Sequence, residues 1–427
     1  MASRVREHIG AMPALAQTAS GLNASNDRNG TGPDRLEQQQ STGGDGGAIA
    51  SRRSADVACR SKGVLLLAST AVHGPAGAAA LPEGPTAGTA FVVPVYPAHY
   101  APWKNSRTRA LLVSAARRQI RGADFWFVLT SLDDQRTFCE GIELPTAPSL
   151  RAGTRVGVIC LQPDLPPQDY QVLHNWTASK GFQTGKGQLV TFKKWYGVHT
   201  LLAAGHKQPS VLVRPYPYLV AIDAEVEFTK KRADVTEALR GWWGRKRLVA
   251  GWTSNELIAD IMQGSATNWF HPPEVARLAE VTAEFRAYFW FSNPPIYEAK
   301  SAGRFFARIN FSSAVLWKMA WTDFDHLVYG YFLLLEEAFE LRVLDARAAS
   351  RCPSLEAMCA AAGSKNLMAP DCCVRAHTET PLLWLNKGCF TDAAYVESCR
   401  AVMTAADGPF MAFHTDRPGQ LPKGGAG

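Results

Sequence analysis

Four short apolar runs fix what this chain can fold into. Ala90–Tyr96, Asp124–Thr130, Arg155–Leu161 and Tyr218–Asp223 are rich in β-branched and aromatic residues and carry little polar alternation. Each predicts a strand buried on both faces, as in a parallel sheet. Helical spacing runs through Trp103–Ile120 and Gly187–Ala204 between them. Such alternation predicts an α/β fold, a mostly parallel sheet flanked by helices on both faces. Ligands of such sheets bind at the carboxyl ends of the strands. Beyond Ser254 the pattern turns mainly helical, with an amphipathic segment over Phe324–Leu344.

Composition divides the chain around that core. Residues 1–86 are rich in Gly, Ala, Ser, Asn and Gln and predict a disordered or targeting region, because they offer too little apolar area to fold. Residues 87–345 form the expected catalytic domain, 346–416 a Cys-rich extension packed on it, and 417–427 a frayed tail. Six of the nine cysteines lie between Cys352 and Cys399, which favours disulfides there and an oxidising compartment. Sequons at Asn23, Asn29, Asn175 and Asn310 point the same way.

No stretch reaches the roughly 18 apolar residues of a membrane span. An internal segment has the form of an export signal: Arg60 and Lys62, the apolar Gly63–Val72, then Ala78–Ala80. The expected setting is therefore the secretory pathway, a Golgi lumen, with membrane association through a missing or internal N-terminal anchor; a cytoplasmic setting is the alternative. The net charge of +7 is spread along the chain and suits an anionic small ligand. With no zinc-finger, helix-turn-helix or RNA-binding signature, nucleic acid is not an expected partner.

The chemistry-bearing segment is Tyr218–Phe228. Its apolar strand runs directly into Asp223, Glu225 and Glu227, and must emerge from the core at Asp223 because a buried charge is costly. Alternate residues of an extended chain share a face, so Asp223 and Glu225 predict a pair of hard oxygen ligands for Mn²⁺ or Mg²⁺ bridging a nucleotide's phosphates. A solvated acidic turn at a strand end is the competing reading.

Four segments in order, Phe91–Tyr96, Phe125–Ser131, Phe192-Lys-Lys-Trp-Tyr-Gly197 and Ile222-Asp-Ala-Glu225, resemble the nucleotide-diphospho-sugar transferase superfamily, the GT-A glycosyltransferases. With the later Phe324–Phe332 segment they resemble, more narrowly, a sparsely characterised branch of that group, over roughly residues 88–345. The resemblance implies a GT-A-like fold and transfer of a sugar from a nucleotide-diphosphate donor, UDP-linked by default, to a hydroxyl of a glycan or glycoconjugate.

Residue roles follow from the same resemblance. Tyr96 would lie by the nucleotide base, and Asp133 with Asp134 by the base or ribose. Lys193 and Lys194 would approach the donor phosphates, one of them more simply explained by an exposed helix face. Asp223 and Glu225 match the metal-binding motif, D-A-E here where D-x-D is commoner. Asp325, ahead of Asp323, is the expected catalytic base. His326 is a further metal ligand or proton carrier, or else a core histidine behind a helix cap. Of Trp242, Trp243, Trp252 and Trp269, Trp252 is the expected acceptor-stacking ring.

Two other readings compete with this one. Nucleotidyl transfer would need a Gly-rich, basic loop after the first strand, and Pro97–Pro102 is not one. A non-catalytic carbohydrate- or nucleotide-binding protein could keep the same fold. Hydrolase and P-loop motifs are absent from the sequence.

Overall fold

The computed structural model describes residues 44–67, 88–144, 154–179, 185–207, 215–252, 256–289, 295–343, 382–385 and 412–415. The strands are β1 (Leu65–Leu67), β2 (Thr89–Pro94), β3 (Ala123–Leu129), β4 (Val156–Cys160), β5 (Tyr218–Ala221), β6 (Val226–Phe228), β7 (Arg247–Trp252), β8 (Ala287–Tyr288), β9 (Ile296–Glu298), β10 (Glu340–Val343), β11 (Leu382–Leu385) and β12 (Ala412–Thr415). The helices are α1 (Gly44–Ser61), α2 (Pro97–Tyr100), α3 (Arg107–Arg118), α4 (Leu132–Gly141), α5 (Pro167–Ala178), α6 (Gly187–Lys207), α7 (Val235–Gly244), α8 (Glu256–Trp269), α9 (Pro272–Val281), α10 (Ala299–Arg308) and α11 (Asp325–Glu336).

The main sheet has six strands in the order β1-β4-β3-β2-β5-β9. Its first five are parallel, and β9 closes the edge antiparallel to β5. Every residue of β2, β3, β4 and β5 is buried, so the continuous apolar runs do mark strands covered on both faces. The architecture is α/β, as expected. Two smaller sheets, β10-β7-β8 and β11-β12-β6, flank it.

Helix α6 explains how one face is covered. From Leu189 to Ala203 nearly every residue is buried, as in a helix that is apolar all round. Gly197 lets it come close: a Cβ there would lie 2.5 Å from Val92 Cγ1 and 2.8 Å from Val128 Cγ2. The helix is thus pressed onto β2 and β3 at Gly197. One turn earlier, Lys193 lies on the same face and points at the carboxyl ends of those strands.

Three expectations are corrected. Residues 1–86 are not wholly without structure, for α1 and β1 are formed, β1 pairs with β4, and Cys59 is bonded to Cys139 of α4. Ala55 and Cys59 on one face of α1, together with Val64, supply the burial that composition alone concealed. Leu65–Leu67, from the apolar stretch of the export-signal-like segment, is therefore an edge strand. The helix expected over Phe324–Leu344 stops at Glu336, because Ala338 turns left-handed (φ 54°) and the Phe339 N–H closes onto the Leu333 carbonyl; β10 follows. Likewise Trp103–Ile120 splits into a 3₁₀ turn, Trp103–Asn105, and α3, which Ser106 caps.

The cysteines from Cys352 to Cys399 lie outside the described residues. No described helix is long and apolar enough to cross a membrane.

Candidate functional site

From β2 the chain steps outward through β3 to β4, then crosses back to place β5 on the other side of β2. Strand order therefore reverses between β2 and β5, and an α/β sheet opens a crevice at the carboxyl ends of such a pair. Tyr96 follows β2 there, and Asp223 follows β5.

Around Tyr96 the groups converge. Lys193 Nζ lies 4.3 Å from the centre of its ring, and the His99 ring meets it edge-on at 5.3 Å. Burial first, then the charges of Asp223 and Glu225, push the Tyr96 phenol well above its ordinary range, so it stays protonated. Its hydroxyl is buried and has no hydrogen-bond partner among the described residues. A buried, unpartnered donor is costly. Burial and the nearby Arg107 lower His99 to about 4, so it is neutral near pH 7.

The two lysines differ from the exposed-face expectation, since both are buried. Lys193 donates to the Val95 carbonyl at 2.6 Å and to Thr130 Oγ1 at 3.1 Å, tying together the ends of β2 and β3. Burial lowers its pKa to about 7. Its amine is thus held by protein oxygens rather than turned toward the phosphate position. Lys194 instead lies 3.1 Å from Asp223 Oδ1 and 3.4 Å from Asp325 Oδ1. Burial would lower its pKa, yet the two carboxylates carry it above the usual value, and it stays charged.

Asp325 is the first residue of α11, after Phe324 at the N-cap, and only 2% of its side chain is exposed. Burial alone would raise its carboxyl; Lys194 and the His326 Nδ1 contact at 3.1 Å carry it below the ordinary range. Burial lowers His326 as well, and its ring is enclosed. The structure therefore makes Asp223, Lys194, Asp325 and His326 one cluster. Of its two carboxylates Asp223 is the open one, with 28% of its side chain exposed.

Glu225 turns toward α3. Arg107 Nη1 donates to its Oε1, and His99 Nε2 lies 3.9 Å from the same oxygen. Each member of the D-x-E pair thus faces a cationic side chain. Among the described residues no three of His, Cys, Asp and Glu are gathered to hold a metal ion.

Two expected residues fall elsewhere. Asp133 stands exposed in the first turn of α4, paired with Arg136. Its neighbour Asp134 belongs to a capping box with Ser131 and accepts from the Tyr100 hydroxyl. Asp323 accepts from the Ala320 N–H and from Asn268, both at 2.7 Å, and burial raises it to about 6. The Trp252 side chain lies outside the described residues. Trp242 and Trp269 are buried in the core, with the Lys318 amine over Trp269.

Sequence reasoning missed His99 and Arg107. His99 sits three residues past Tyr96, in the short helix α2 that follows β2, which the switch-point rule could have flagged. Arg107 is 118 residues from Glu225, and no local spacing announces that pairing.

No protein-family model matches the sequence, and no curated protein matches it. Among solved structures, the mannosyltransferase Ktr4p from S. cerevisiae is similar at 11% identity, over 69% of this chain and 78% of that one, with a TM-score of 0.28. At that TM-score the overlap carries no argument about function.

Proposed function

We propose that this protein is a glycosyltransferase that binds a nucleotide-diphosphate sugar, UDP-linked by default, across the carboxyl ends of β2 and β5. The sugar passes to a hydroxyl of a glycan or glycoconjugate. The observation that carries this reading is the meeting of Tyr96, Asp223 and Lys194 where the strand order reverses. A crevice there suits a nucleotide, and the partly exposed Tyr96 stands beside it.

In the reaction the bond from the anomeric carbon to the leaving phosphate oxygen breaks. A bond from the acceptor oxygen to that carbon forms, and the acceptor proton passes to a carboxylate. Asp223 is the carboxylate open to substrate. Asp325, first expected as the base, is enclosed by Lys194 and His326; its role here is to position Lys194. Arg107, with 38% of its side chain exposed, is the cation able to reach the diphosphate and offset its charge.

Mn²⁺ or Mg²⁺, the expected cofactor, does not fit the acidic pair as it is arranged. Its oxygens are of the right kind, but Lys194 faces one carboxylate and Arg107 the other, and like charge opposes entry of a divalent ion. The Cys59–Cys139 bond supports a secretory setting, the Golgi lumen among them.

The test is to incubate the full chain with a panel of nucleotide sugars and mixed glycans, with and without MnCl₂, and measure release of nucleotide diphosphate. Release with one donor, abolished in Asp223→Asn, supports transfer. Nucleotide binding without release from any donor would make the protein a non-catalytic binder of the same fold.

A further inference from the structure

A second recess opens beside the crevice, between α3 and β6, with a volume of about 320 Å³. Four arginines of α3 line it: Arg107, Arg109, Arg117 and Arg118. Opposite them are Ala224, Glu225, Val226, Glu227 and Phe228. The lining holds four cationic and two anionic side chains, a formal excess of two positive charges (four minus two).

Helix geometry explains the row. Positions 107, 110, 114, 117 and 118 fall on one face, and with Ala110 and Ser114 between them the floor of the groove is low. Ten residues at 1.5 Å rise put Arg107 and Arg117 about 15 Å apart along the axis. Arg107 is engaged with Glu225. The Arg109 guanidinium donates to the Lys104 carbonyl at 3.4 Å. Arg117 and Arg118 have no carboxylate partner among the described residues. A bland role for both exists, since cations in the last turn favour the helix dipole, but that role needs no recess.

We infer that this recess is a binding site for a small acidic oligosaccharide, its oxyanion groups held by Arg117 and Arg118. The guanidinium fork matches a carboxylate, sulfate or phosphate through paired hydrogen bonds. The volume suits a ligand of two or three sugar units rather than a macromolecule. No exposed ring lines the recess, Phe228 being fully buried, so the stacking platform that a nucleic-acid strand would need is missing from the lining. Glu225 lines the recess and also pairs with Arg107 at the crevice, so a ligand here lies next to the donor site. As an acceptor subsite the inference rests on the proposed transferase function; as a binding site it does not.

The test is calorimetric titration of the full chain with trigalacturonate, pyrophosphate and maltotriose, on wild type and on Arg117→Gln/Arg118→Gln. Both arginines are at least partly exposed, so the variant keeps the core, and Arg117→Lys/Arg118→Lys retains the charge without the fork. The expected result is binding of trigalacturonate, a tenfold or greater loss in the glutamine variant, partial recovery in the lysine variant, and no binding of maltotriose. Pyrophosphate binding that the glutamine variant loses, without trigalacturonate binding, would overturn the sugar-acid assignment in favour of a phosphate site. No binding of either ligand that depends on Arg117 and Arg118 would overturn the site itself. Nucleotide titration of the same variant separates the two ideas, for its nucleotide affinity should match wild type whichever way the recess behaves.

Discussion

Lys194 lies 3.1 Å from Asp223, and the same amine reaches Asp325 at 3.4 Å, so the acid at the end of β5 and the acid opening α11 share one buried cation. The carboxylate facing the crevice is thereby coupled to a helix more than a hundred residues later in the chain.

Removing that cation should be costly. Lys194→Met leaves Asp325 buried without its partner, a change that typically costs about 3–5 kcal/mol. Lys194→Met/Asp325→Leu removes both charges and should regain most of the loss. Urea unfolding of the two variants checks this; equal destabilisation in both would show that the ion pair is not what Lys194 supplies.

Gly197 predicts a steric effect. A methyl group there would sit inside contact distance of Val92 and Val128, so Gly197→Ala should lose about 1–3 kcal/mol by overpacking. Gly241 of α7, where a Cβ would meet nothing within 4 Å, is the control, and alanine there should be neutral or stabilising. Thermal unfolding distinguishes the two.

Asp323 sets a pH dependence. Its folded pKa is about 6, above the value near 4 of an unfolded aspartate, so the native state holds the extra proton in that window. Stability from this group is full below about pH 4 and is lost as pH rises to 6, by about 3 kcal/mol for two pKa units. Asp323→Asn should remove that slope while keeping the bonds from Ala320 and Asn268. Unfolding free energies at pH 4 and 6 should therefore differ less in the variant than in wild type; parallel slopes would sink the assignment.

The Cys59–Cys139 bond closes a separation of 80 residues. Cys59→Ser should destabilise the protein by about 2–5 kcal/mol, measured by urea unfolding; a midpoint unchanged from wild type would show that the bond adds nothing to stability.

The four central strands were readable because they are fully buried and therefore continuously apolar, from Ala90 to Asp223, whereas the edge strands β1 and β9 are short and partly exposed and were not. Tyr96 and Asp223 could be placed from sequence at the carboxyl ends of β2 and β5 because each follows an apolar run directly, whereas Lys194, inside α6, came only from the resemblance. The partners were not. Arg107 with Glu225, and Lys194 with Asp325, are contacts between distant segments, and no periodicity encodes them. Helix α1 was hidden because its Gly-rich start and many polar residues mask the few apolar ones that pack. Lys193 looked like a phosphate ligand until the close approach at Gly197 turned it into the strand ends.

The most direct test is thermal unfolding of the full chain against a panel of nucleoside diphosphates, with and without EDTA. At a hundred times its dissociation constant, one nucleotide should stabilise the protein by about 2.7 kcal/mol. That gain should shrink in Tyr96→Ala and Arg107→Gln, persist in Asp223→Asn and Arg117→Gln, and survive EDTA. No stabilisation by any nucleotide in a folded sample, or the same gain in Tyr96→Ala and Arg107→Gln as in wild type, would contradict a nucleotide site between β2 and β5.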